Sequence, residues 1–324
     1  MDQVEFAILG AGAIGSIVGA HLARAGRRVV MLARTRRAEQ IRQSGLRIRG
    51  LAEFDQPVAV LTEPGELHAA AVLIVALKTH ATAAVLPLLR GATIDSVLSI
   101  QNGLMKNDHL AEVFGRERVL GALADTSGEL LASGEALFTR NGNIYIGELP
   151  GGASARAAQI AGILDASGVR STAVADIQSL EWSKFAAWAG LMILSVTTRA
   201  STWQYAVDPG SALVLARLVR EVGELASARG IQLSDQGVLP VASICRSSEQ
   251  QAVATIQHFG RQLQARAPQH RMSSLQDLQA GRALEVEQTL GHALRLAQQS
   301  GLSLPRLSTF YPLVAAMDRI ERRA

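Results

Sequence analysis

The sequence predicts two domains of different class, an α/β domain built on a parallel sheet over residues 1–174 and an all-α domain over residues 175–324. Three observations carry this. A chain of 324 residues is long for one core, since single cores rarely grow past roughly 250 residues. In the first half, short apolar runs alternate with helical stretches: Val4 to Leu9, a helix to Ala25, Arg28 to Leu32, Ala69 to Leu77 and Ser96 to Ile100. That alternation is the pattern of parallel strands with helices over both faces. Beyond residue 175 the pattern turns to long helical periods with almost no strand signal.

The elements follow in order. A second strand group, Val119 to Leu123, Glu135 to Thr139 and Asn143 to Gly147, is punctuated by turn residues such as Asn141-Gly142, and is expected to extend the sheet in a partly antiparallel manner. Helices are expected near 177–195, 211–229, 248–266, 281–300 and 306–322. Gly230 and Gly301 follow two of them where a left-handed C-cap belongs.

Composition narrows the function classes. With 48% hydrophobic and 19% charged residues the chain can bury large cores. Its net charge of +4 is spread along the sequence with no basic run, so a nucleic-acid partner is not expected and the charge suits small anionic ligands. Cys245 stands alone, which excludes an intrachain disulfide, a metal-ligand pair and a redox pair, and fits a reducing cytoplasm. The apolar stretch Phe6 to Ala20 is broken by four glycines and preceded by Asp2 and Glu5, so it does not read as an export signal. No apolar run long enough to cross a membrane occurs elsewhere. Lysine appears only at 78, 106 and 184 against 29 arginines. Each lysine therefore invites the question whether a compact, movable proton donor is needed there or has merely persisted.

The run Gly10-Ala11-Gly12-Ala13-Ile14-Gly15 follows a strand pattern and opens a helix. In that context glycines permit a tight turn and let backbone N–H groups approach a pyrophosphate at the helix N-terminus, the mark of a Rossmann-type dinucleotide site. The plain alternative is a glycine-rich packing segment. After the second strand comes Ala33-Arg34-Thr35-Arg36-Arg37, with no acid for ribose hydroxyls. Arg34 offers a guanidinium for a 2′-phosphate instead, with Arg36 or Arg37 as helpers or as solvated surface charges, so NADP is the expected cofactor.

Further segments carry a resemblance. Val75-Ala76-Leu77-Lys78, Ile100-Gln101-Asn102-Gly103, Leu180-Glu181-Trp182-Ser183-Lys184, and Ser273-Ser274-Leu275-Gln276-Asp277 with Gly281-Arg282 and Glu285 occur in this order. Together with the glycine run and Arg34 they resemble the ketopantoate reductase family along nearly the whole chain. The resemblance implies NADPH-dependent reduction of ketopantoate, a 2-keto acid, to pantoate. Lys184 would be the proton donor and Glu285 the group orienting substrate. Asn102 would contact nicotinamide ribose and substrate, Lys78 would position the cofactor, and Ser273 would bind the substrate carboxylate. Independently of the family, Lys78 and Asn102 fall just after two parallel strands, where ligands of such sheets bind. Lys184 also reads as a surface lysine paired with Glu181 three residues earlier. Glu285, within Leu284-Glu285-Val286-Glu287, also reads as a solvated helix position.

The chain departs from the family where members carry asparagines four and eight residues after the lysine and three before the serine. Here stand Trp188, Met192 and His270, and no asparagine follows Asn143. Lys184, Trp188 and Met192 share one helix face, so Trp188 and Met192 are expected either to line the substrate site or to pack in the core, with Ser195, Thr197 and Thr198 as partial polar substitutes. Two other readings stay open: a reductase for a more apolar 2-keto acid, and a non-catalytic NADP-binding sensor. The helical domain offers a face for a homodimer.

Overall fold

A computed structural model describes residues 4–322; the first three and last two residues, the ends of the two expected domains, lie outside the described residues. The chain divides into two compact units, one holding the chain to Asn102 with Lys106–Gln178, the other Gly103–Met105 with the chain from Ser179.

In the first unit the strands are β1 (Val4–Leu9), β2 (Val29–Leu32), β3 (Leu46–Gly50), β4 (Phe54–Gln56), β5 (Ala59–Leu61), β6 (Ala69–Val75), β7 (Thr93–Ser99), β8 (Val119–Ala124), β9 (Ser127–Leu130), β10 (Ala136–Arg140), β11 (Ile144–Glu148) and β12 (Ser171–Ala173). The helices between them are α1 (Ala13–Arg24), α2 (Thr35–Ser44), α3 (Thr79–Val85), α4 (Met105–Phe114) and α5 (Ala155–Ala166). The main sheet has the order β12-β11-β8-β7-β6-β1-β2-β5. From β5 to β8 every pairing is parallel, and β11 joins β8 antiparallel. Both faces are covered: Phe6 and Ile8 pack on the side of Ile17 and Val18, while Ala7 and Leu9 pack with Leu86, Leu89 and Phe114. Strands buried on both faces read as continuous apolar runs, which is why β1, β2 and β6 are legible in sequence.

Residues Glu135 to Thr139 are a correction. Their strand, β10, does not extend the main sheet but lies in a second, four-stranded sheet of order β4-β3-β10-β9. Its Ala136 and Phe138 share the core of α1 with Leu46 and Ile48 of β3, so α1 is covered by a sheet on each side. Half-buried alternation such as Leu46-Arg47-Ile48-Arg49 fits one covered and one wet face.

The second unit is helical: α6 (Ile177–Thr198, whose first two residues belong to the first unit), α7 (Thr202–Val207), α8 (Pro209–Ala228), α9 (Val241–Arg246), α10 (Glu249–Arg266), α11 (Ser273–Gln279), α12 (His292–Gln299) and α13 (Pro305–Glu321). The expected helix over 281–300 is corrected as well. The chain from Gly281 to Glu285 is irregular, and a wide turn at Glu287–Gly291 precedes α12. Helix α6 runs through the core; a Cβ on Gly190 would stand 2.4 Å from Leu215 Cδ1, so glycine lets α6 approach α8 closely. The buried Glu221 of α8 accepts hydrogen bonds from the Arg306 and Leu307 amides and from the Arg306 guanidinium. A carboxylate is thereby placed against the positive N-terminus of α13.

Candidate active site

The glycine run turns sharply between β1 and α1, beside the end of β6. In this sheet the chain order reverses between β1 and β6, the switch point at which such sheets bind ligands. Each glycine has its own reason. Gly10 has φ +110°, and a Cβ there would lie 2.9 Å from the Ala76 carbonyl carbon. On Gly15 a Cβ would lie 2.0 Å from the Gly10 carbonyl oxygen. Gly12 has an ordinary φ of −72° and a Cβ on it would meet nothing within 4 Å. Two glycines thus serve the turn, while the third keeps the space before α1 clear. Ala11 is buried, Ala13 and Ile14 are half-buried, and the first turn of α1 carries no acid.

At the end of β2, Arg34 is exposed and stands at the N-cap of α2; Arg36 is exposed as well. Arg37 is different. Its guanidinium donates to Ala11 O (3.1 Å), Gly134 O (2.8 Å) and Ser16 Oγ (3.1 Å). Burial, and to a lesser degree the charge of Arg47, pulls it below the ordinary arginine range.

Lys78 is exposed at the N-cap of α3, directly after β6, and Asn102 is half-buried in the loop after β7. A buried residue, Gln101, joins the two loops. Its Nε2 donates to Leu77 O (2.8 Å) and Thr82 Oγ1 (2.7 Å), and its Oε1 accepts from Ser99 Oγ (2.8 Å). Beneath it the buried Lys106 donates to Ser99 O (3.1 Å) and Ala122 O. Sequence reasoning quoted Gln101 without a role and gave Lys106 none. The scarcity of lysine and the position of Gln101 next to Asn102 were the available signals, but the contacts are long-range and invisible in a pattern.

In the second unit, every side chain of α6 from Ser179 to Val196 is buried except that of Lys184. A helix buried all round belongs to a core, so a half-buried lysine in the middle of this one stands out. Its neighbour Glu181 is itself buried. Phe185 and Trp188 stack with ring centroids 6.3 Å apart, and Trp188 keeps a small exposed edge. Met192 has no exposure at all. Of the two expected readings this favours core packing, because a wholly enclosed side chain presents no surface to a ligand. Ser195 is enclosed too, while the Thr197 and Thr198 hydroxyls donate back to Ile193 O (2.8 Å) and Leu194 O (2.6 Å). His270 Nδ1 pairs with Thr202 Oγ1 at 3.0 Å.

Glu285 is 7% exposed, not the solvated helix position its polar neighbourhood allowed. It is held from both sides. The preceding Leu284 amide donates to buried Asp318 (2.9 Å), and the Thr289 hydroxyl donates to the Glu285 carbonyl. Glu287, by contrast, is exposed and pairs with Tyr311 and Arg295, which in that order hold its carboxyl below the usual range. Ser273 is exposed at the first position of α11, and Asp277 of the same helix binds Arg282 at 2.8 Å. Among the described residues no group of three His, Cys, Asp or Glu could hold a metal, and no helix is long and apolar enough to cross a membrane.

An α/β unit with a glycine turn at its switch point, followed by a helical unit, is the architecture of a two-part dinucleotide-binding protein. Comparison with known proteins gives the family. Residues 6–151 match the model of ketopantoate reductase PanE/ApbA, and residues 176–318 match that of its C-terminal domain. The chain belongs to the ketopantoate reductase family of oxidoreductase enzymes. A 2-dehydropantoate 2-reductase of Archaeoglobus fulgidus is 28% identical, with 96% of this chain and 97% of that relative aligned. The crystal structure of a 2-dehydropantoate 2-reductase from Methylococcus capsulatus superposes with a TM-score of 0.80 at 25% identity, covering 99% of each chain. A ternary structure of D-mandelate dehydrogenase with NADH and anilino(oxo)acetate has a TM-score of 0.83 at 19% identity, covering 98% of this chain and 99% of that one. This last likeness is one of fold.

Proposed function

We infer that this protein reduces a 2-keto acid to the 2-hydroxy acid with NADPH, ketopantoate to pantoate being the first candidate, with Lys184 as proton donor. The observation that carries the reading is that Lys184 alone is partly exposed along the otherwise buried span of α6 from Ser179 to Val196. A nicotinamide dinucleotide fits the first unit: the turn at Gly10 and Gly15 is compact, the space beside Gly12 is open, and no acid stands in the first turn of α1. Those are the conditions a pyrophosphate needs at a helix N-terminus. Exposed Arg34 at the end of β2 supports NADPH over NADH, since a guanidinium pairs with a 2′-phosphate where an acid would repel it. Lys78 would position the cofactor from the end of β6 and Asn102 would hold its ribose and the substrate from the end of β7.

Bound NADPH supplies a hydride to the keto carbon. The carbonyl π electrons pass to oxygen, and the Lys184 ammonium gives that oxygen its proton, leaving a neutral amine that regains a proton from solvent. Glu285 orients the substrate, and Ser273 binds the carboxylate with its hydroxyl. The test is NADPH consumption with a panel of 2-keto acids, by the native protein and by Lys184→Ala.

A second reading concerns the acid. Thr197 and Thr198 commit their protons to helix carbonyls and His270 pairs with Thr202, so these groups have less to offer a substrate hydroxyl than the family's asparagines. With Trp188 beside Lys184, a more apolar 2-keto acid is favoured. An apolar pocket discriminates weakly against an added hydroxyl, whereas a site built to bind one rejects the analogue lacking it.

A further inference from the structure

We propose that Arg37 is a positioning residue for the dinucleotide-binding turn and takes no part in choosing between NADPH and NADH. The inference rests on the dinucleotide reading above and deepens it. Three arginines follow β2 closely, and by sequence each could meet a 2′-phosphate. The structure separates them. Arg34 and Arg36 stand exposed, whereas half-buried Arg37 spends its guanidinium on the protein's own acceptors. Its Nε donates to the carbonyl of Ala11, the residue between the first two glycines, at 3.1 Å. Its Nη2 donates to Ser16 Oγ at 3.1 Å, and that hydroxyl donates in turn to the same Ala11 carbonyl at 3.2 Å. The third anchor is Gly134 O at 2.8 Å, in the turn between β9 and β10 of the second sheet. Gly134 has φ +83° and leaves only 3.0 Å between a would-be Cβ and Arg37 Nη1, so that turn is shaped around the guanidinium.

A planar fork reaching three acceptors on three elements fixes their relative placement in a way a single flexible amine would not. The element fixed is the carbonyl of Ala11. Orienting that peptide sets the direction of the next amide, that of Gly12, at the mouth of α1 where a pyrophosphate would be received. Without Arg37 the Ala11 carbonyl and Ser16 hydroxyl lose a charged partner and the turn loses its tie to the second sheet. Affinity should therefore fall for both dinucleotides together, because the pyrophosphate is common to both. A phosphate-contacting arginine would instead affect NADPH alone.

The experiment is equilibrium titration of the full-length protein with NADPH and with NADH, in native form and as Arg37→Ala, Arg37→Lys, Ser16→Ala and Arg34→Ala, with circular dichroism to confirm the fold. The expected result is a loss of roughly 10- to 100-fold in affinity for both dinucleotides in Arg37→Ala, with their ratio unchanged. Arg37→Lys should recover part of it, and Ser16→Ala should show a smaller loss of the same even kind. In kinetics KM for NADPH rises while kcat at saturation is kept. Selective loss of NADPH would make Arg37 a phosphate ligand and overturn the proposal. So would unchanged affinity for both in a less stable Arg37→Ala, which would leave the residue a brace of the second sheet. Should Arg37→Ala not fold, Arg37→Lys and Ser16→Ala decide alone: even losses support the proposal, and none refutes it. If the native protein binds neither dinucleotide, the dinucleotide reading falls with it; if it binds and the Arg37 and Ser16 variants bind equally well, only this inference falls.

Discussion

Gly12→Ala and Gly15→Ala should separate the two duties of the glycine turn. A methyl on Gly15 would be placed 2.0 Å from the Gly10 carbonyl oxygen and 3.0 Å from Ala76 Cβ. Both belong to packed backbone or to a short side chain that cannot swing away, so the turn must open. Overpacking of this kind typically costs about 1 to 3 kcal/mol, which lowers melting by roughly 2 to 4 °C per kcal/mol for a unit of this size. Gly12 presents the opposite case. Its backbone angles suit any L-residue and a Cβ there meets nothing within 4 Å, so Gly12→Ala should change stability by less than about 1 kcal/mol. That same methyl would occupy the space a pyrophosphate needs, and a displacement worth about 1.4 kcal/mol already weakens binding tenfold. Calorimetry paired with NADPH titration checks both. Gly12→Ala should melt like the native protein and bind at least about tenfold more weakly, while Gly15→Ala should melt several degrees lower. A Gly12→Ala protein with native affinity would refute the placement of the dinucleotide, and a fully stable Gly15→Ala would refute the packing of the turn.

Arg34→Ala should lose roughly 10- to 100-fold of the preference for NADPH over NADH, the worth of a charge-assisted phosphate contact; a native protein that turns over both cofactors equally would contradict this. His21, 6% exposed and edge-on to Phe54 and Phe138, is held neutral by burial and by Arg24, its pKa lowered from 6.5 to about 4. Between those values the unfolded chain binds a proton that the folded one refuses, so stability present above pH 6.5 is lost as pH falls toward 4, by up to about 3 kcal/mol. His21→Phe should flatten that slope in urea melts; an unchanged slope would show that other groups set it. Met192→Asn should cost about 2 to 5 kcal/mol without improving use of ketopantoate, since it places an amide in a closed core, whereas Trp188→Asn should shift kcat/KM toward ketopantoate relative to its deoxy analogue. A native enzyme preferring ketopantoate by orders of magnitude would contradict the apolar reading of Trp188.

The main sheet was legible because β1, β2 and β6 are largely buried on both faces and write themselves as apolar runs, and because the glycine turn has a fixed place after the first. The second sheet was not. Segments such as Phe54–Gln56 and Ser127–Leu130 are short and largely exposed, and their pairing with β3 and β10 depends on contacts across long stretches of chain. Lys184 could be singled out by lysine scarcity and by resemblance, but periodicity could not place its face: α6 is apolar nearly all round, so no polar side marks a direction. That ambiguity is also why Met192 read equally as a neighbour of the site and as core. Gln101, Lys106 and Arg37 escaped for a shared reason. Each acts through carbonyl oxygens, and a sequence names the side chain but not the backbone it reaches.

The most direct test of the central claim is the kcat of NADPH oxidation with ketopantoate and with a deoxy 2-keto acid, compared between the native protein and Lys184→Ala at saturating NADPH. A well-placed proton donor contributes about 100- to 10,000-fold. Lys184→Ala should lose a factor of that size in kcat on whichever acid the native protein reduces, with its NADPH dissociation constant unchanged. A near-native kcat in the variant, or a native protein whose NADPH consumption no 2-keto acid accelerates, would contradict it.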